Sequence, residues 1–329
     1  MTHIVITDCD HGSTAPEEAA AATLGATVTV AQAKSEDEIV RVGEDADGLV
    51  VQYAKITESV MERLPQLRAI CRAGTGVDVV DVAAATRRGI VVTNVPDYGI
   101  EDVSDHAVAL ALTAARGIVR LDRGVRRGET DLEPAKPLHR FNTRTFAVIG
   151  LGAIGAATAR KAIGLGFRVI AFDPALEVGT VTDSGIEVVS FDRALADGDI
   201  VSLHVPLNAH THHLIDANTL AAMKNTATLV NTCRGGVVDT DALVDALSHG
   251  VIHSAGLDVF ETEPIPADHP LTALDNVILT PHAAWYSEES FVELKRRSME
   301  NAIRAAEGTL STNIVNPDAL VSVTERAGR

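Results

Sequence analysis

A strand-forming run that ends on G-x-G-x-x-G, followed by one helix and a second strand closing on an acid, leaves few folds open to a chain. Thr145-Phe146-Ala147-Val148-Ile149 leads into Gly150-Leu151-Gly152-Ala153-Ile154-Gly155, and an Ala-rich segment then separates this turn from Phe167–Phe172 and Asp173. In such a βαβ unit Gly150 makes the tight turn and Gly152 lets a pyrophosphate approach the backbone. Gly155 lets the helix pack closely on the strand, and the helix N-terminus, with the N–H groups of Ala153 and Ile154, faces the phosphates. Asp173, about twenty residues on, would accept hydrogen bonds from an adenosine ribose. A glycine-rich structural turn is the bland alternative, and the whole ordered series weighs against it. The acid favours NAD over NADP, because a carboxylate there would repel a 2′-phosphate.

Strand and helix signals alternate over almost all of the 329 residues, which predicts parallel sheets with helices on both faces. Strands are expected at His3–Thr7, Thr27–Val30, Gly48–Tyr53, Ala69–Ala73 and Ile90–Asn94. A second set begins at Phe146 and continues at Arg168–Phe172, Glu187–Val189, Ile200–Pro206, Thr228–Asn231, Ser254–Val259 and Val277–Thr280. Between the sets Glu101–Arg127 reads as one long helix. The fold class is therefore α/β with two doubly wound parallel-sheet domains. A flavodoxin-like domain takes residues 1–98 and 290–329, and a Rossmann domain, residues 99–289, is inserted into it.

The net charge of −17 argues against nucleic-acid partners and anionic membrane surfaces, whose phosphates would be repelled. Arg116, Arg120, Arg123 and Arg127 form a basic stripe, read as a solvated or salt-bridged helix face. Three scattered cysteines, Cys9, Cys71 and Cys233, give no disulfide framework and fit a reducing cytoplasm. The N-terminus reads as a strand rather than a signal peptide, and no apolar run is long enough for a membrane span.

Ligands of doubly wound sheets bind outside the carboxyl ends of the strands, so chemistry is sought there. Arg234 follows the strand Thr228–Asn231, Glu263 follows Ser254–Val259 and His282 follows Val277–Thr280. Reduction of a 2-keto acid needs a fixed cation for the carboxylate and carbonyl, a proton donor and a carboxylate to orient it. Arg234, His282 and Glu263 match those roles in that order. Cys233 has no candidate base beside it in the sequence, which argues against a nucleophile. His210, His212 and His213 have neither a local acid nor a cysteine, so no metal is expected.

Asn231–Gly236, Asp258–Pro264 and Thr280–Trp285, with the glycine motif, resemble the D-isomer-specific 2-hydroxyacid dehydrogenases. Gly74-Thr75-Gly76-Val77-Asp78 and Val92–Pro96 extend the likeness nearly end to end. Leu207–Leu214 and His282–Glu288 look most like the C-terminal-binding protein and phosphoglycerate dehydrogenase-like branch. Val205-Pro206 departs from the Cys-Gly of the corepressors in that branch and matches the commoner enzyme form.

The resemblance implies an NAD-dependent homodimeric oxidoreductase with an Arg234–Glu263–His282 triad, its dimer arm falling on Glu101–Arg127. Asp258 would contact the nicotinamide carboxamide, and Val205, Pro206, Thr211, Thr232, Cys233 and Ala284 would line the cofactor with Arg234 and His282. The Gly74–Gly76 loop, with Thr75, would hold the substrate carboxylate together with Arg234, and Trp285 would border the substrate side chain. Hinges near Pro96–Glu101 and Trp285–Glu289 would let a cleft close. Tyr53 and Lys55, with Arg72 nearby in sequence, are candidates to meet a second anionic group such as a phosphate or phosphonate; a solvated lysine is the plainer reading of Lys55. Two rivals remain at this point: an NAD(H)-sensing corepressor-like binding module with vestigial dehydrogenase activity, and a phosphite- or formate-type dehydrogenase on the same scaffold.

Overall fold

A computed structural model describes residues 1–9, 12–309 and 312–320; the remaining part of the expected 290–329 segment lies outside the described residues. The chain divides into two units, residues 1–98 with 287–329 and residues 99–286.

In the first unit five short strands, β1 (His3–Ile6), β2 (Thr27–Val30), β3 (Gly48–Val51), β4 (Ala69–Arg72) and β5 (Val91–Thr93), form one parallel sheet in the order β2-β1-β3-β4-β5. That is the flavodoxin-like order. β3 is buried along its whole length, as a central strand covered on both faces must be. One face packs on Ile39, Ile56, Met61 and Leu64, the other on Met299, Ala302 and Ile303 of the helix Glu288–Ala306. Buried Glu17 and Lys295 pair at 2.8 Å within this second layer.

The second unit carries β6 (Thr145–Ile149), β7 (Arg168–Phe172), β8 (Glu187–Val188), β9 (Ile200–Leu203), β10 (Thr228–Asn231), β11 (Ser254–Leu257) and β12 (Val277–Leu279). They form one parallel sheet in the order β12-β11-β10-β9-β6-β7-β8. Numbered from β6, this is the Rossmann order with one strand added, and its direction of winding reverses between β6 and β9. The crevice that such a reversal leaves at the strand ends is where ligands of this fold bind.

The expected strands are present, mostly trimmed by a residue or two at their ends. The expected long helix is not continuous. It runs as Ile100–Ala115 and Ile118–Arg126, broken at Gly117, whose φ is +61°. A Cβ on Gly117 would lie 2.8 Å from Cβ of Ala135, so close packing as well as backbone conformation selects glycine. Three of the four arginines of the stripe have partners within this unit. Arg120 Nη2 lies 3.0 Å from His253 Nε2, Arg123 bonds Asp275 at 3.1 Å and Arg127 grips Glu129 with two bonds of 2.8 Å. Among the described residues no helix is long and apolar enough to cross a membrane.

Candidate active site

The glycine turn sits where β6 and β9 part. Gly150 has φ +94°, and a Cβ on it would lie 2.5 Å from the His204 carbonyl oxygen and 3.0 Å from Val205 Cγ1. A Cβ on Gly155 would lie 2.0 Å from the Gly150 carbonyl oxygen, which is the close helix–strand approach that the motif requires. Gly152 differs from both. It caps the helix Ala153–Gly164 with no side-chain bond, and a Cβ there would meet nothing within 4 Å. An uncapped helix N-terminus with room beside it suits an anion. Asp173 directly follows β7, its Oδ2 accepting from Leu151 N–H at 2.8 Å and its Oδ1 from Ala175 N–H at 2.9 Å, each oxygen keeping a lone pair for a hydroxyl.

Beyond β9, Val205 is buried and Pro206 exposed, and Thr211 Oγ1 donates to the Pro206 carbonyl at 2.5 Å. Beyond β10, the Asn231 side chain shapes the turn, accepting from Cys233 N–H at 3.0 Å and donating to the Arg234 carbonyl at 2.9 Å. The buried Thr232 hydroxyl has no partner among the described residues. A buried donor left unpaired is costly, so this hydroxyl fits a group supplied by a ligand. The Cys233 thiol is pushed up chiefly by burial, which disfavours the thiolate a nucleophile needs. Gly235 then passes so close to the next loop that a Cβ would fall 1.9 Å from the Phe260 carbonyl carbon. Glycine there brings the Arg234 turn against the segment that carries Glu263.

Glu263 Oε2 lies 2.7 Å from His282 Nδ1, and its Oε1 accepts from Phe260 N–H at 2.9 Å. Burial alone would push the Glu263 carboxyl up. The bond and charge of His282, the Phe260 N–H and the charge of Arg234 together outweigh it, leaving Glu263 below its ordinary value. It is therefore an anion at neutral pH, aimed at the imidazole. His282 has φ +54°, a left-handed conformation uncommon for a residue with a side chain.

That conformation is held from beneath by Asp258, which is 0% exposed. Its carbonyl accepts from His282 N–H at 2.8 Å. Its carboxylate accepts from Ala283 N–H at 2.9 Å, Ala284 N–H at 2.8 Å and the Thr280 hydroxyl at 2.5 Å. The bonds seen at Asp258 thus order the loop bearing His282. His106, at 2.9 Å from Thr280 Oγ1, joins this network. Sequence reading missed it, because residues 106 and 280 share no local pattern. Trp285, half-buried, meets Tyr286 edge-on at 5.6 Å.

In the first unit, backbone N–H groups of Gln52, Tyr53 and Ala54 all donate to the buried Asp8 carboxylate, at 3.0, 2.5 and 3.1 Å. Asp8, another residue missed in the sequence, so fixes the turn from which exposed Lys55 projects. The Gly74–Gly76 loop is tied down by Asn94 Nδ2 donating to the Thr75 carbonyl at 2.6 Å and by Val95 N–H donating to the Gly74 carbonyl at 2.9 Å. Gly74, with φ +145°, has the Arg72 guanidinium against it: a Cβ would sit 1.5 Å from Arg72 Nη1.

The pattern of the D-isomer specific 2-hydroxyacid dehydrogenase NAD-binding domain matches residues 108–284. The chain belongs to that family. It is 42% identical over 281 residues to a glyoxylate reductase of Korarchaeum cryptofilum, spanning 84% of this chain and 85% of the relative. It is 40% identical over 291 residues to a D-3-phosphoglycerate dehydrogenase of Methanocaldococcus jannaschii, covering 88% of this chain and 55% of that longer protein. The fold superimposes with a TM-score of 0.86 on D-lactate dehydrogenase of Aquifex aeolicus complexed with NAD and lactic acid, at 28% identity and covering 95% and 99% of the two chains. This family member is an NAD-dependent oxidoreductase acting between D-2-hydroxy acids and 2-keto acids. The comparisons lend no support to the corepressor-like alternative.

Proposed function

We propose that this dehydrogenase works mainly as a reductase of small 2-keto acids of glyoxylate or pyruvate size, with Arg234, Glu263 and His282 as its chemical set. The observation that carries the reading is the 2.7 Å Glu263–His282 contact beside Arg234. Arg234 clamps the substrate carboxylate and polarises the carbonyl. His282 gives the carbonyl oxygen its proton, and anionic Glu263 orients the ring through Nδ1, leaving Nε2 to face substrate. NADH, when bound, supplies the hydride to C2. The helix N-terminus at Gly152–Ile154 would hold its pyrophosphate, Asp173 its ribose and Thr232 a further polar edge. Asp258 positions His282. In the first unit, the Gly74–Gly76 N–H groups are the candidate carboxylate contacts.

The small-acid reading is supported by the glyoxylate reductases among the relatives, the first of them 42% identical over 84% of this chain. Lys55, exposed on the turn that Asp8 fixes, favours a second reading in which the acid carries another anionic group. A panel of mono- and dianionic 2-keto acids assayed with NADH and NADPH tests both. Turnover lost in His282→Ala supports the triad, and a KM raised only for dianionic acids in Lys55→Ala supports the second reading. Wild-type turnover in His282→Ala would sink the first.

A homodimer is part of the proposal. The helix Ile118–Arg126 and the following arm leave Ile118, Val125 and Leu132 exposed at 50%, 68% and 56%. Light scattering that finds a monomer would refute it. Cytoplasmic residence is proposed from the three free thiols and the dependence on NAD(H).

A further inference from the structure

Three metal-competent side chains outside the proposed chemical set converge where the loop after β9 meets the loop after β11. His212 and His213 lie on the first loop and Glu261 on the second. His213 Nε2 is 2.7 Å from Glu261 Oε1, and the two imidazoles stack with centroids 4.0 Å apart and planes 27° from parallel. One ligand atom from each of the three residues lies within 4.8 Å of the others. We propose that His212, His213 and Glu261 bind one borderline divalent transition-metal ion of the zinc class. Two imidazole nitrogens and a carboxylate oxygen suit zinc, nickel or copper, whereas magnesium and calcium prefer all-oxygen sites.

The support behind the donors distinguishes this cluster from a chance gathering of surface groups. Asp239 Oδ2 stands 3.9 Å from His213 Nδ1, beyond hydrogen-bond distance but close enough to favour positive charge on this side of the ring. The second oxygen of Glu261 accepts from Thr240 N–H at 3.0 Å, which fixes the carboxylate plane. His213 itself is held in a left-handed conformation, φ +50°, with its N–H donating to the Gly236 carbonyl at 2.8 Å. His213 and Glu261 are thus held in place, and exposed His212 would turn out of its stack on His213 to bring its in-plane lone pair to the same ion. A tetrahedral ion would keep one position for water. The acid that sequence spacing denied to these histidines comes from residue 261, about fifty positions away, through the packing of the β11 strand end.

Bound metal would fasten the 206–213 segment, through Glu261, to the loop that also carries Glu263. Protons compete with it. Ligation needs neutral imidazole nitrogens, so an ion binds against protons.

The test is calorimetric titration of zinc chloride into the chelator-treated full-length protein, in the wild type and in His212→Ala, Glu261→Gln and His282→Ala. Melting each without zinc checks that it folds. Wild type and His282→Ala should bind one equivalent and melt higher with zinc. His212→Ala and Glu261→Gln should bind more than about tenfold more weakly, since even a supporting partner is worth that much. Magnesium chloride should give no site-specific heat. Wild-type affinity in both His212→Ala and Glu261→Gln would overturn the proposal, as would loss of binding in His282→Ala, which would place the ion on the Glu263–His282 pair. Absence of heat and of any melting shift in the wild type would also overturn it. Metal-free turnover should be unchanged in His212→Ala, so the reductase reading stands or falls separately.

Discussion

Gly152→Ala and Gly155→Ala, three residues apart in one motif, separate ligand contact from packing. At Gly152 the backbone has φ −67° and ψ −169°, open to any residue, and a new Cβ meets nothing within 4 Å. Stability without cofactor should therefore stay within about 0.5 kcal/mol of wild type. The same methyl stands in the approach to the Ala153 and Ile154 N–H groups. Losing one charge-assisted hydrogen bond costs about 1.5–3 kcal/mol, or NADH affinity weakened about 10- to 150-fold. At Gly155 the new Cβ lies 2.0 Å from the Gly150 carbonyl oxygen and 3.2 Å from Val148 Cγ1. One obstacle is backbone and the other is core, so neither can swing away. Overpacking of this kind costs about 1–3 kcal/mol, a melting point lower by about 2–12 °C for a domain of this size. Melting without cofactor, paired with NADH titration followed by nicotinamide fluorescence, reads both quantities. If Gly152→Ala melted as low as Gly155→Ala, or bound NADH like wild type, the division of labour within the motif would be wrong.

Glu263→Gln keeps the shape but loses the charge on a 2.7 Å bond, and kcat should fall about 10- to 150-fold, for about 1.5–3 kcal/mol, in steady-state NADH oxidation; a wild-type rate would refute the orienting role. Because the Glu263 pKa is depressed, its favourable ionisation is present above the ordinary carboxylate range and fades as pH falls through the folded value, so the variant should show a flatter acid limb of stability than wild type. His204, bonded to Ser202 Oγ at 2.9 Å, is pushed down to about 4 by burial. Between pH 6.5 and about 4 the unfolded chain binds a proton there that the folded chain does not. Acidification through that window should cost at most about 3 kcal/mol, since His204 as a residue is only partly buried. Urea denaturation at pH 7 and pH 5 should show a smaller loss in His204→Asn; equal losses would refute it. Arg234→Lys should raise KM for 2-keto acids by more than about tenfold while leaving NADH affinity near wild type, because an ammonium lacks the planar two-pronged grip; unchanged KM would remove Arg234 from the substrate.

Local sequence determined the periodic elements and the turn chemistry of this protein. The alternation of apolar strands with helical segments, the positions of Gly150, Gly152 and Gly155 and the placing of Arg234, Glu263 and His282 at strand ends are all properties of short stretches, and each is legible because one residue's backbone or side chain carries it. Where a glycine has a reason that lies elsewhere in the chain, legibility ends: Gly117 breaks the expected long helix because Ala135 packs against it, and Gly235 is demanded by Phe260. The same holds for polar groups. Resemblance gives Asp258 a contact with the cofactor, and nothing local shows that the folded chain also makes it the buried anchor of Thr280, Ala283 and Ala284. Asp8 fixes the Gln52–Ala54 turn across forty-four residues of sequence or more, and Glu261 joins His213 from forty-eight away. A buried carboxylate must find donors wherever the sheet order delivers them, and that order is set by the packing of whole strands, which no single stretch of sequence contains.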